Sequence, residues 1–567
     1  MSTPQWWQDC LAYQIYPRSF ADSNGDGIGD LEGARRKLDY LQDLGVGAVW
    51  FSPFFPSPLK DVGYDVSDYC DIAPEYGGLA AFDQFQKEAR QRGIRVILDF
   101  VMNHTSDEHP WFQKSRRNRN AAHRDWYVWH DPRPDGSPPN NWESVFGGPA
   151  WEWDERTGQY YYHNFLKEQP DLNWHNPAVR AAMLDVVRFW LDRGVDGFRL
   201  DAVGTLFEAD GLPDNDVPLT MMEAWQLNFQ SPTGWSEEFG RKIRFQTDDP
   251  RVHEVMRELR ALVDTYPGAV LLGESDDVRY YGRGADELHS VFNFGWTNIA
   301  EPNAERIRAM LKNRLPKLPA GAWECQTLGN HDRARAWGHI ADGRHDAERY
   351  LACFALTFFL PGTPMIYYGE EIGMQDYYLT DPAQQRDNLG VWIYQSLLDQ
   401  GHDSTSALRE SQKLVGRDKC RTPMQWDSSP HAGFSSPEAS PWLPLHPNYP
   451  QINVAAQLGQ GDSIYEQFKT LTQVRRDYAP LRRGSFQLIS NSGPVLAFWR
   501  KGGGQDCLVA INMSAEPQRA CLGMARLRRL YSSSEGARRP GAAERSPAQY
   551  DLADLRLGAY EVFVGGV

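Results

Sequence analysis

Three carboxylates each follow a short apolar run that reads as a buried strand. They are Asp201 in Gly197-Phe198-Arg199-Leu200-Asp201, Glu274 in Val270-Leu271-Leu272-Gly273-Glu274 and Asp332 in Leu328-Gly329-Asn330-His331-Asp332. A carboxylate at the C-terminal tip of a strand is poorly placed for packing and well placed for chemistry. Arg199 lies two residues before Asp201, on the same face of the strand, and can keep that carboxylate ionised. With His331 beside Asp332, the set points to an acid–base site acting on an uncharged, oxygen-rich substrate.

The elements that must position these groups alternate along the chain. Strands are expected at Ala12–Tyr16, Ala48–Ser52, Arg95–Phe100, Gly197–Asp201, Ala269–Gly273, Ser290–Phe294, Glu324–Leu328 and Met365–Tyr368. Between them, Leu31–Leu44, Ala80–Arg92, Pro177–Arg193 and Pro250–Tyr266 carry apolar residues at i, i+3, i+4 spacing, the mark of helices. Gly45, Gly93, Gly194 and Gly268 precede strands as expected helix C-caps. Eight strands with intervening helices predict an α/β fold, a (β/α)8 TIM barrel. Two connections are too long for a plain barrel. Residues 104–174 read as a loop-rich domain inserted after the third strand, and about 373–454 as an excursion after the eighth. The expected catalytic barrel thus occupies 1–103 and 175–484. Short alternating segments (Phe486–Ile489, Val495–Trp499, Cys507–Asn512, Tyr560–Val564) make 485–567 an antiparallel β domain, with Ser532–Ser546 as polar loop.

Composition narrows the function classes. The chain has 567 residues, 75 acidic against 59 basic, and a formal charge of −16. That balance argues against nucleic acid or an anionic membrane as partner, since both call for basic surface. The first residues show neither a basic n-region nor an apolar h-region, so no signal peptide is expected. Seven scattered cysteines with no Cys-x-x-Cys spacing read as free thiols, and a cytoplasmic location follows as the expectation. A monomer or homodimer is anticipated.

Beyond these patterns, ordered segments carry a resemblance. They are Gly63-Tyr64-Asp65, Asp99–His104, Gln169–Asn173, Gly197–Val203, Leu272–Glu274, Gly329–Asp332, Pro361–Pro364 with Tyr367–Glu371, and Arg421–Trp426. In this order they resemble the α-amylase family of glycoside hydrolases, in its bacterial α-glucosidase and oligo-1,6-glucosidase branch, over roughly residues 5 to 480. The resemblance implies Asp201 as nucleophile, Glu274 as acid/base, and Asp332 with His331 holding sugar hydroxyls at the cleaved position. It implies contacts to the terminal glucose from Asp61, Tyr64, His104 and Arg421. Phe146 and Phe165 stand either as ordinary core or as pocket wall. In the same branch the loop after the first strand holds one structural Ca²⁺ or Mg²⁺ through Asp22, Asn24, Asp26, the Ile28 carbonyl and Asp30; a metal-free cluster of Asx turns is the alternative. An EF-hand is excluded because Gly33 stands where a bidentate Glu is required. No organic cofactor is implied.

Within that branch the residue after the nucleophile tracks bond preference, with Val in α-1,6-cleaving enzymes and Ala or Thr in α-1,4-cleaving ones. Ala202 therefore implies small α-1,4-linked glucosides such as maltose as substrates. The difference is worth only ~1–3 kcal/mol, so α-1,6 activity is not excluded. Arg283 is isolated where sucrose isomerases carry an Arg-rich loop, and no basic cluster marks a sugar-phosphate pocket. Transglucosylation stays open. A non-catalytic barrel relative is disfavoured, because the three acids are kept.

Overall fold

Eight short strands carry the architecture of this computed structural model, which describes residues 5–231, 235–298, 303–490, 492–502, 504–535 and 549–567. The first three are β1 (Ala12–Ile15), β2 (Ala48–Phe51) and β3 (Arg95–Val101). Then come β4 (Trp129–His130), β5 (Trp151–Asp154) and β6 (Gln159–Tyr162), which form a separate three-stranded antiparallel sheet in the connection after β3. The barrel resumes with β7 (Gly197–Asp201), β8 (Val270–Gly273), β9 (Ser290–Asn293), β10 (Cys325–Gln326) and β11 (Thr363–Tyr367). All eight barrel strands pair in parallel, and β11 closes the ring on β1. The expected (β/α)8 barrel is the fold.

Register decides which side chains meet. Across β3 and β7, Asp99 stands opposite Arg199 and Val101 opposite Asp201. Across β7 and β8, Arg199 stands opposite Leu272. Alternation along a strand then puts Arg199 and Asp201 on one face, with Glu274 following at the end of the next strand.

The helices follow their apolar stripes. Pro177–Asp192 starts at Asn176, whose side chain accepts from Ala178 N, and buries Val179, Met183, Val186, Val187, Trp190 and Leu191. Gly194 then takes a left-handed φ of 96°, which a residue with a Cβ adopts only under strain, and turns the chain into β7. Three expectations need correction. The stretch Leu31–Leu44 is two helices, Leu31–Arg36 and Leu38–Leu44; they part at Lys37, which leaves helical φ/ψ and rests its ammonium over the Trp426 ring. The strand expected over Glu324–Leu328 is only Cys325–Gln326, because Thr327 Oγ1 turns back to the Gly329 carbonyl and Glu324 pairs with Arg314. A third long connection, after β7, escaped the periodicity reading. It holds the helices Met221–Gln230 and Glu237–Ile243 and is tied to the insertion by Trp142 Nε1 donating to the Pro213 carbonyl (2.8 Å) and Lys242 Nζ to Glu143 (2.8 Å).

The last part of the chain contains β12 (Ser485–Leu488), β13 (Val495–Lys501), β14 (Cys507–Asn512), β15 (Gln518–Ala520), β16 (Arg526–Ser532), β17 (Gln549–Asp551), β18 (Leu555–Leu557) and β19 (Val562–Gly566). Six form an antiparallel sheet in the order β12-β13-β14-β19-β16-β17, and β15 pairs with β18. Arg308 and Arg500 bind it to the barrel by donating to the carbonyls of Val495 (3.0 Å) and Phe359 (2.6 Å). Of the expected polar loop Ser532–Ser546, residues 536–546 lie outside the described residues. All seven cysteines are free thiols. No helix among the described residues is long and apolar enough to cross a membrane.

Candidate active site

Two charge clusters meet at the C-terminal rim of the barrel. The first is built on Arg199. Its Nη1 donates to Asp99 Oδ1 (2.9 Å) and to Asp201 Oδ1 (2.7 Å), while Nη2 lies 2.9 Å from Glu274 Oε2. Asp201 and Glu274, from adjacent strands, thus sit on the two nitrogens of one guanidinium. Beneath it Trp50, buried in the barrel, packs its ring against the guanidinium (5.1 Å) and donates Nε1 to Asp99 Oδ2 (3.2 Å). Glu274 Oε2 also accepts from the Ala202 N–H (2.9 Å). That donor points correctly because Ala202 takes a left-handed conformation, φ 41° and ψ 50°. The two carboxylates differ in access: the Asp201 side chain is 11% exposed and that of Glu274 27%. One lies at the floor, the other toward the mouth.

Three carboxyls share that one cation. Burial pushes Asp99 up to about 7 against the pull of Arg199, with Glu274 adding repulsion. Burial likewise drives Asp201 upward, opposed by Arg199 and reinforced by Glu274 and Asp99. This corrects the expectation that Arg199 keeps the carboxylate ionised: one guanidinium shared by three acids does not offset the burial. A buried group with one positive and three negative charges retains a proton near neutral pH. Such a site holds an ionised and a protonated carboxyl together.

The second cluster is built on two guanidiniums. Arg421 Nη2 donates to Asp332 Oδ1 (2.8 Å) and its Nε to the His331 carbonyl (2.8 Å). Arg417 bridges Asp332 (3.2 Å), Asp61 (3.1 Å) and Asp387 (2.6 Å). Burial would raise Asp332, but its contact with His331 (3.1 Å) and the charges of Arg417 and Arg421 outweigh it and hold the carboxyl well below its usual range. Asp387 is also lowered, burial being overcome by Arg417 and Arg421. Asp61, on the edge of the cluster, is pushed up to about 6 by burial despite Arg417.

The expected contacts gather around these clusters. Tyr64 lies flat against His331 (centroids 5.7 Å, 7° between planes), and its hydroxyl donates to Asp99 Oδ2 (3.4 Å). His104 faces the Tyr64 carbonyl (3.1 Å), and burial lowers it to about 3. Phe165 packs on His104 (5.1 Å) and against Phe146 (5.6 Å), while Arg417 stands over Phe146 (5.7 Å). Both phenylalanines therefore border the second cluster and also belong to an apolar group with Met222, Leu389 and Ile393.

Asp22, Asn24, Asp26, Ile28 and Asp30 lie apart from the clusters, in one loop after β1. Asp22 accepts from the N–H groups of Asn24, Gly25 and Gly27, Asp26 Oδ1 from Ile28 N, and Asp30 caps the following helix through Gly33 N. Their oxygens are of the kind a hard cation takes. Yet among the described residues no three Asp, Glu, His or Cys side chains converge as a metal site, the loop carboxylates being turned to its own N–H groups.

Arg417, Asp387, Asp99 and Gln169 escaped the sequence reading as site residues. Arg417 had a signal: it precedes Arg421 by four, so both project from one turn. Asp99 opens the Asp99–His104 segment, and only the β3–β7 register assigns it to Arg199. Gln169 reaches Asp61 (3.1 Å) from the insertion, and Asp387 comes from the last excursion. Gln169 opens the Gln169–Asn173 segment, which could have flagged it, whereas Asp387 has no local pattern.

A closed parallel barrel with carboxyls gathered at its C-terminal rim is an enzyme architecture, and similarity to known proteins gives its class as glycoside hydrolase. The chain belongs to the alpha-amylase family, whose catalytic domain matches residues 14–484. It is 40% identical over 532 residues to a probable alpha-glucosidase of Rhizobium meliloti, covering 92% of each chain. It is 38% identical over 527 residues to an oligo-1,6-glucosidase of Parageobacillus thermoglucosidasius, covering 90% of each. Among solved structures, an alpha-glucosyl transfer enzyme superposes with a TM-score of 0.85 at 37% identity, over 100% of both chains.

Proposed function

We propose that this enzyme is a retaining α-glucosidase that releases glucose from the non-reducing end of short α-1,4-linked oligosaccharides such as maltose. The observation that carries the reading is the shared guanidinium, with Asp201 and Glu274 on its two nitrogens. In the first displacement an Asp201 oxygen bonds to the anomeric carbon while Glu274 gives its proton to the departing glycosidic oxygen. The product is a β-glucosyl ester on Asp201. Glu274 then takes a proton from water, whose oxygen bonds to the anomeric carbon and releases the ester as α-glucose and free Asp201.

Asp332, kept ionised by two guanidiniums, and His331 accept and donate to the 2- and 3-hydroxyls, contacts that strengthen as the ring flattens. The ion pair from Arg417 to Asp61 ties the loop after β2 to the last excursion, which fits a pocket taking one terminal glucose. The loop from Asp22 to Asp30 would hold one Ca²⁺ or Mg²⁺ through Asp22, Asn24, Asp26, the Ile28 carbonyl and Asp30, bracing the barrel mouth.

Relatives named for oligo-1,6-glucosidase and for glucosyl transfer favour a second reading, in which isomaltose or a second sugar as acceptor is used as well. Product analysis separates them. Maltose and isomaltose are supplied separately at low and high concentration, and products with their first-formed anomer are read by NMR. α-Glucose from maltose supports the proposal; β-glucose as first product overturns the double displacement, and faster turnover of isomaltose overturns the bond preference.

A further inference from the structure

Gln14 belongs to none of the segments that carry the chemistry, yet its buried carboxamide sits between two polar atoms at the barrel rim. Its Nε2 lies 2.8 Å from His331 Nδ1 and 3.0 Å from Ser52 Oγ, just beyond β2. A carboxamide nitrogen has two N–H bonds, one for each. Nδ1 of His331 is then an acceptor, and a neutral ring must carry its proton on Nε2. The ring is neutral, because burial holds it well below the usual imidazole range against the pull of Asp332. On that side Nε2 meets Tyr64 Oη and Asp332 Oδ2, the latter at 3.1 Å.

We propose that Gln14, held by Ser52, is a positioning residue that fixes His331 as the neutral Nε2–H tautomer and so aims its one N–H at Tyr64 Oη and Asp332. The claim rests on the proposed function for what lies beside His331. A positive imidazolium there would stand next to a transition state that is itself gaining positive charge. A carboxamide supplies a donor to Nδ1 without inviting a second proton, whereas a carboxylate in its place would invite one. The charged and titratable groups facing the ring are Asp332 in its own loop, Arg199 from β7, Arg417 and Arg421 from the last excursion, and the phenols of Tyr16 and Tyr64.

The test uses the full chain with ¹⁵N-labelled histidine, the His331 signals being assigned by their loss in His331→Asn. Long-range ¹H–¹⁵N spectra of the native enzyme should show the Nε2–H pattern over roughly pH 5 to 8. Gln14→Glu should shift it to the doubly protonated pattern and move the acidic limb of the kcat/KM profile on maltose upward. Gln14→Leu should give a tautomer mixture, with kcat/KM lowered about 10–100-fold, the usual cost of losing a partner that orients a functional histidine. Ser52→Ala, a smaller change, should produce a lesser mixture and serves if either Gln14 variant does not fold. An unchanged His331 pattern in the folded variants overturns the proposal, even if activity falls. Glucose release surviving in Asp201→Asn would instead remove the catalytic reading and leave the tautomer result standing.

Discussion

The Arg199 cluster and the Arg417–Arg421 cluster share a pocket and a residue vocabulary, yet they treat carboxylates in opposite ways. One guanidinium faces Asp99, Asp201 and Glu274; two face Asp61, Asp332 and Asp387. Asp201 is driven up and Asp332 down, although both are aspartates at strand ends. For this pair the cations facing each carboxyl decide the direction, whereas Asp61, which meets only Arg417, still yields to burial and rises to about 6. In the proposed mechanism the cation-poor cluster supplies the groups for bond making and breaking, and the cation-rich one a fixed negative charge for holding hydroxyls.

The largest effect should come from the first cluster. Asp201→Asn is expected to lower kcat for maltose by at least about 10⁴-fold, read as glucose release, with no loss of thermal stability because a disfavoured buried carboxyl is gone. Breaking the second cluster should cost folding first. Arg417→Met leaves Asp61, Asp332 and Asp387 short of a buried partner, a loss of about 3–5 kcal/mol in urea unfolding. Arg417→Lys keeps the charge but not the fork, and should raise KM for maltose more than it lowers kcat.

Acidity gives a sharper comparison. Asp99 has a folded-state value of about 7, above its unfolded value of ~3.9. Its contribution is therefore full below ~3.9 and is lost as pH rises to about 7. Asp332 is depressed, so its contribution is full above ~3.9 and is lost only as pH falls below that. Tm measured across pH should lose part of its neutral-side decline in Asp99→Asn and part of its acid-side decline in Asp332→Asn. The reverse assignment would undo the contrast between the clusters.

Smaller effects are expected beside and beyond the clusters. Ala202→Val forces a β-branched residue into a left-handed conformation, at a cost of roughly 1–2 kcal/mol. It should also move the isomaltose-to-maltose ratio of kcat/KM upward by about tenfold. A chelator should lower Tm modestly, with recovery on adding Ca²⁺ or Mg²⁺. An unchanged Tm would leave the Asp22–Asp30 loop as a self-bonded set of turns.

Much of the fold was legible because its signals are local. Strand–helix alternation, the left-handed glycine before β7 and the cap at Asn176 all lie within a few residues of what they control. The connection after β7 was not legible, since its short helices bury their apolar faces against the insertion and the last excursion rather than against the barrel. In the site, Asp201, Glu274 and Asp332 announced themselves by following strands, whereas Asp387 looks like any polar residue in a loop.

The order of residues alone determined a parallel barrel, the three acids at its rim and the choice of Ala202 beside Asp201. Only the tertiary structure decided what those acids do. Arg417 meets Asp61 at 3.1 Å across 356 positions of chain, and Gln14 meets His331 at 2.8 Å across 317. Coulomb and hydrogen-bond energies depend on such separations in space, and a buried carboxyl moves up or down according to which cations folding brings against it.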